Sequence, residues 1–130
     1  MFDGDLSKIT EENLLSFFDR KAPEDKTLEY KKEIKIDIGD DKKEFLGDIS
    51  AFSNSNGGVI IYGIYAKDGV PEKMDGIALA NPDSFVLQVE NIIRDSIKPR
   101  IDFSSALVKL TSGNYVFLIK VRETYNVYQK

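Results

Sequence analysis

Ala51-Phe52-Ser53-Asn54-Ser55-Asn56-Gly57-Gly58 runs directly into Val59-Ile60-Ile61-Tyr62-Gly63-Ile64, and this stretch decides the fold. The first half reads as a helix running out at small polar residues and turning on two glycines, which reach positive φ without the steric cost other residues meet. The second half is an apolar run rich in β-branched residues, set just after a turn, which marks a strand buried on both faces. A glycine-rich loop cradles phosphate when it leads from a strand into a helix, because free N–H groups and the positive dipole end then face the anion. Here the order is reversed. Neither a Walker A loop nor a dinucleotide fingerprint is present, and the local physics alone reads the corner as a glycine cap with Asn54, Ser55 and Asn56 as exposed donors.

Working outward, Leu28, Tyr30, Ile34, Ile36 and Ile38 occupy even positions against Glu29, Lys31, Glu33, Lys35 and Asp37 on odd ones. This alternation predicts a strand over 28–38 with one buried and one charged face, broken only at Lys32. A helix over about 42–53 places Phe45, Leu46, Ile49 and Phe52 on one side. Asp68-Gly69 and Pro71 mark a loop or hairpin. Asn81-Pro82-Asp83 starts a second helix, with Asn81 as cap and Pro82 at its first position, and Pro99 closes it. Strands over about 102–110 and 115–121 follow, joined by Thr111-Ser112-Gly113-Asn114. Thr10 caps a short leading helix whose apolar side carries Leu14, Leu15, Phe17 and Phe18. The expected fold is an α/β two-layer sandwich, a β-α-β-α-β-β mixed sheet behind a short leading helix.

The 130 residues suit one domain. With neither cysteine nor histidine in the chain, thiol nucleophiles, disulfides, zinc fingers and imidazole acid-base chemistry are excluded. Met1-Phe2-Asp3-Gly4-Asp5 has no resemblance to a signal peptide and no apolar run is long enough to span a bilayer, so no membrane partner is expected and a cytoplasmic setting is the default. Net charge is −4, yet residues 70–130 hold eight bases against seven acids. Any phosphate-binding surface is therefore local, and the candidate basic groups include Lys31, the pair Lys42 and Lys43, and Lys98 with Arg100. Glu24 and Glu29 form a second candidate set: paired carboxylates can hold Mg²⁺ or Mn²⁺ and activate water against a phosphodiester, while an ion pair between Glu29 and Lys31 is the plainer reading.

Taken together, Glu24, Leu28-Glu29-Tyr30-Lys31, the corner Ile49 to Gly58, and Ile61-Tyr62-Gly63-Ile64 resemble the Schlafen-type AlbA_2 family, described as a DNA-binding or divergent AAA-4 domain. Lys98-Pro99-Arg100-Ile101 adds to the likeness. The resemblance covers about residues 10–125 and implies an Alba-like core, with 1–130 expected as a single domain of that kind. It also implies the N-terminal module of a longer bacterial or archaeal protein with a downstream effector domain, a transcriptional regulator or an ATP-binding protein. Its implied role is nucleic-acid binding, DNA or RNA, mainly through phosphates, without a cofactor. The residues it points to are Lys31, Asn54, Ser55, Asn56, Gly57, Gly58, Lys42, Lys43, Lys98 and Arg100. Related Schlafen nucleases use three carboxylates. Glu24 and Glu29 match two of them, whereas Asp68 arrives slightly late for the third, so a Mg- or Mn-dependent ribonuclease is the alternative. The strand over 115–121 is apolar on both faces, which suits either a buried core or a homodimer contact.

Overall fold

The computed structural model describes residues 6–37 and 39–123. After a one-turn 3-10 helix (Leu6–Lys8) come α1 (Glu11–Asp19), β1 (Leu28–Lys31), α2 (Gly39–Ser53), β2 (Gly58–Tyr62), β3 (Tyr65–Lys67), β4 (Val70–Lys73), α3 (Pro82–Ser96), β5 (Phe103–Lys109) and β6 (Tyr115–Val121). The main sheet has the order β1-β2-β6-β5. β1 and β2 are parallel, as an intervening helix requires, and the other two pairings are antiparallel. This is the expected two-layer α/β arrangement, with a mixed sheet and both long helices on one face.

Strand alternation sorts the side chains. Ile60, Tyr62, Phe117, Ile119 and Val121 join Phe45, Ile49 and Phe52 of α2 and Val89 and Ile93 of α3 in one core. Val59, Ile61, Val116 and Leu118 point the other way and meet Leu6, Leu14 and Phe17, so the leading helix closes the second face. β2 and β6 are thus buried on both faces, which explains their unbroken apolar spelling. The predicted caps form: Thr10 Oγ1 accepts the Asn13 N–H and Asn13 Oδ1 accepts the Thr10 N–H. Asn81 Oδ1 accepts the N–H of Ser84.

One expectation changes, and of the loop or hairpin expected at Asp68-Gly69 the hairpin forms. The strand predicted over 28–38 ends at Lys31, because β2 stops at Tyr62 and the N–H groups of Gly63 and Ile64 both turn onto the Lys31 carbonyl. Past that point the chain changes sides: Leu28 and Tyr30 lie in the α1 core, whereas Ile34 and Ile36 lie in the α2 core. Ile38 lies outside the described residues. The segment at Asp68-Gly69 is a true hairpin, β3 with β4, whose two turn residues both take positive φ (53° and 78°), the geometry that fits the twist of a tight hairpin. Among the described residues no helix is long and apolar enough to cross a membrane.

Candidate functional site

Because β1 and β2 run the same way with α2 returning between them, the sheet has two chemically different ends. The end where β2 begins carries the corner. Phe52 O accepts the N–H of Ser55 (3.2 Å), the N–H of Gly57 (2.9 Å) and the hydroxyl of Ser55 (3.2 Å), and Ser50 O accepts the N–H of Asn54 (2.9 Å). Two of the last four carbonyls of α2, those of Ser50 and Phe52, are thereby satisfied. Gly57 has φ 77°, and a Cβ there would stand 2.7 Å from Val121 O and 2.9 Å from Glu123 N. A Cβ on Gly58 would stand 2.6 Å from the Phe52 ring. These glycines let the corner pack against β6 and its own helix, and the Gly57 N–H is already committed. The exposed members are Asn54, Ser55 and Asn56.

Beside them runs the segment that follows α3. A cleft of about 70 Å³ is lined by Ser50, Ser53, Asn54, Ile97, Lys98 and Pro99. The corner and the basic segment, more than 40 residues apart in sequence, are thus brought together. Lys98 and Arg100 are exposed and make no ion pair among the described residues. Arg122, which the sequence reading passed over, lies where Gly57 meets the end of β6. Its guanidinium is 3.5 Å from Asp102, and both side chains are more than two-thirds exposed, so the pair is weak and open to exchange. The signal that could have found Arg122 is its position one residue past a strand that pairs with Gly58. The C-terminal dipole ends of α2 and α3 oppose anion binding here, but each is a fractional charge against the full positive charges of the nearby basic side chains.

The opposite end holds the other candidates in an acidic setting. Lys31 Nζ lies 3.2 Å from Glu29 Oε2 and 3.4 Å from Asp48 Oδ2. Burial pushes this amine down, but the hydrogen bond to Glu29 and the Asp48 charge more than reverse that and hold it above the ordinary lysine value. Lys35 is paired with Glu33 at 3.1 Å. A cavity of about 350 Å³ between β1 and α2 has Lys31, Lys35, Asp41, Glu44, Asp48 and Tyr62 in its wall. Asp40 and Asp41 occupy the first turn of α2, where a bound anion would sit, so Lys42 and Lys43 are flanked by carboxylates. Asp48 was not foreseen. It flanks the apolar stripe of Phe45, Ile49 and Phe52 and so lies over the charged face of β1.

The carboxylates of the nuclease alternative do not converge. Glu29 faces α2. Glu24 instead guards the outer edge of β1, its Oε2 accepting the Tyr30 N–H at 3.0 Å and its own N–H reaching Gly69 O at 2.7 Å. That contact sets Glu24 beside the Asp68-Gly69 turn, yet among the described residues no group of three such ligands could hold a metal ion. The sequence profile of the family described as Schlafen, AlbA_2 matches residues 24–130. No curated protein matches the chain.

Proposed function

The chain belongs to the Schlafen AlbA_2 family, and from that premise we propose that it is a nucleic-acid-binding module that grips phosphates with the corner end of its sheet. The observation that carries this reading is the juxtaposition in one cleft of Asn54, from the exposed corner, with Lys98, whose charge, like that of Arg100, is not neutralised within the described residues. The side-chain amides of Asn54 and Asn56 and the nearby free cations suit the oxygens of a phosphate backbone. The cleft between them is far below the roughly 300–1,000 Å³ of a small-molecule site, so it favours surface contact with a polymer over enclosure of a nucleotide. The contacts carry no base-edge pattern, and the affinity is largely sequence-independent.

Fluorescence anisotropy with labelled duplex DNA, single-stranded DNA and RNA tests the proposal. The wild-type chain is expected to bind at low salt, and Lys98→Ala with Arg100→Ala to weaken binding by at least about tenfold while reducing the slope of log K against log salt by about two. Binding that the double substitution leaves unchanged, or no binding at low salt, would sink it. Resolving the same mixtures with Mn²⁺ on a denaturing gel adds a second arm: cleavage abolished by Glu29→Ala would replace the binding reading with the nuclease.

A further inference from the structure

The end of the sheet away from the corner holds the cavity between β1 and α2. Its volume of about 350 Å³ falls within the roughly 300–1,000 Å³ of small-molecule sites, unlike the cleft of about 70 Å³ beside Lys98. It lies where the parallel strands β1 and β2 both finish, and α/β sheets leave their ligand crevices at the carboxyl ends of parallel strands. Tyr62, the last residue of β2, stands in its wall. That side chain is 3 % exposed, and its hydroxyl makes no hydrogen bond among the described residues. An unpaired buried phenol costs free energy that a group bound in the cavity can return.

The surrounding charges select the sign of that group. Burial, then the carboxylates of Asp48 and Glu29, hold the Tyr62 phenol above its ordinary value, so the hydroxyl lies within their field. Lys31 is already held between those two carboxylates, and Lys35 is held by Glu33. Asp41 and Glu44, also in the wall, make no ion pair among the described residues, and Lys32 is the one lysine of the wall without such a pair. With Glu29 included, five carboxylates therefore stand against three amines, an excess of two negative charges. That balance disfavours an anion and matches a dication.

We infer that the cavity binds a short aliphatic diamine, one ammonium group donating to the Tyr62 hydroxyl and Asp48, the other held by Asp41 and Glu44. α2 sets the spacing. Asp41 and Glu44 are three residues apart and share a face, and Asp48 follows Glu44 by four residues, one further turn of about 5.4 Å. An extended four-carbon chain separates its two ammonium groups by about one such turn. Phe45, in the same wall and largely buried, gives the methylene chain an apolar surface. The positive dipole end of α2 is a fractional charge, and Asp40 and Asp41 occupy its first turn. The dispersal of the carboxylates argues against a single metal ion, since among the described residues no three of them could ligate one. The cavity lies at the opposite end of the sheet from Lys98 and Arg100, so this inference stands independently of nucleic-acid binding.

Calorimetric titration of the chain with 1,4-diaminobutane at low salt is expected to show saturable binding at one site, and butylamine, with a single ammonium group, to bind at least about tenfold more weakly. Tyr62→Phe keeps the buried ring and removes only the hydroxyl, so it is expected to weaken diamine binding at least about tenfold. Asp41→Asn with Glu44→Gln is expected to do the same. Glu12→Gln, on the helix across the sheet, is expected to leave the affinity within about twofold. Thermal denaturation of each variant checks that it is folded. Absence of saturable diamine binding, equal affinity for the monoamine, or binding that Tyr62→Phe leaves intact would overturn the proposal. So would displacement of the diamine by Mg²⁺ at matched ionic strength, because that outcome assigns the carboxylates to a metal.

Discussion

Two buried tyrosines make opposite use of their hydroxyls. Tyr30 donates to Ala22 O at 2.6 Å, while the Tyr62 hydroxyl, on a side chain only 3 % exposed, finds no hydrogen-bond partner among the described residues. Tyr30→Phe therefore removes a satisfied hydrogen bond and is expected to cost about 1 kcal/mol, whereas Tyr62→Phe removes an uncompensated polar group and is expected to be neutral or stabilising by up to about 1 kcal/mol. Chemical denaturation of the two variants decides between these signs. Burial raises both phenols above their ordinary value, with Glu24 adding to it at Tyr30 and Asp48 then Glu29 at Tyr62. The unfolded chain loses those protons first, from about pH 10 upward. Stability is thus expected to be flat below that point and to fall above it, with a shallower fall in Tyr62→Phe; an unchanged alkaline slope in that variant would contradict the account. Gly57→Ala combines a positive φ with backbone 2.7 Å from the new methyl, so it is expected to destabilise by several kcal/mol, read as a lowered denaturation midpoint.

At the scale of elements, the leading helix is held by more than its apolar side. The Glu11 carboxylate accepts the Thr111 N–H at 3.1 Å and the Thr111 hydroxyl at 2.8 Å, tying the start of α1 to the turn between β5 and β6. Glu11→Ala is expected to cost about 1 kcal/mol, the exposed setting discounting a charged hydrogen bond, and to speed amide exchange at 111–114 while leaving β2 protected. Equal acceleration in both would show the tie to be immaterial. Helix caps and two-sided strands were legible in the sequence because they depend on residues within a turn or on simple alternation: Thr10 with Asn13, Asn81-Pro82, and the runs around Ile60 and Leu118. The length of β1 was not legible. Ile34 and Ile36 keep the even positions of Leu28 and Tyr30, and their transfer to the other face is dictated by where β2 ends, a partner far along the chain. The separation of Glu24 from Glu29 is likewise non-local: parity in β1 sends Glu29 toward α2, while Glu24, ahead of the strand, is held at its edge by the Gly69 carbonyl and the Tyr30 N–H.

For the whole molecule, the sequence showed that its positive charge had to be local but not that the candidates divide between two ends. Lys31, Lys42 and Lys43 lie where the parallel strands finish, and the corner and Lys98 where they begin, because α2 carries the chain back across the sheet. From Lys42 to the end of α2 at Ser53 the helix rises about 17 Å. The screening length is about 8 Å at 0.15 M salt and about 30 Å at 0.01 M, so at physiological salt the acidic end is electrostatically out of reach of a phosphate at the corner. Lys42→Glu with Lys43→Glu is therefore expected to leave nucleic-acid affinity within about twofold at 0.15 M and to lower it measurably at 0.01 M. Lys98→Glu with Arg100→Glu is expected to abolish detectable binding at 0.15 M and to weaken it severely at 0.01 M, since direct phosphate contacts are lost at any screening length. Anisotropy titrations at the two salt concentrations separate a contact from a distant field. A large loss from the Lys42 and Lys43 substitutions at 0.15 M would move the interface to the opposite end of the sheet.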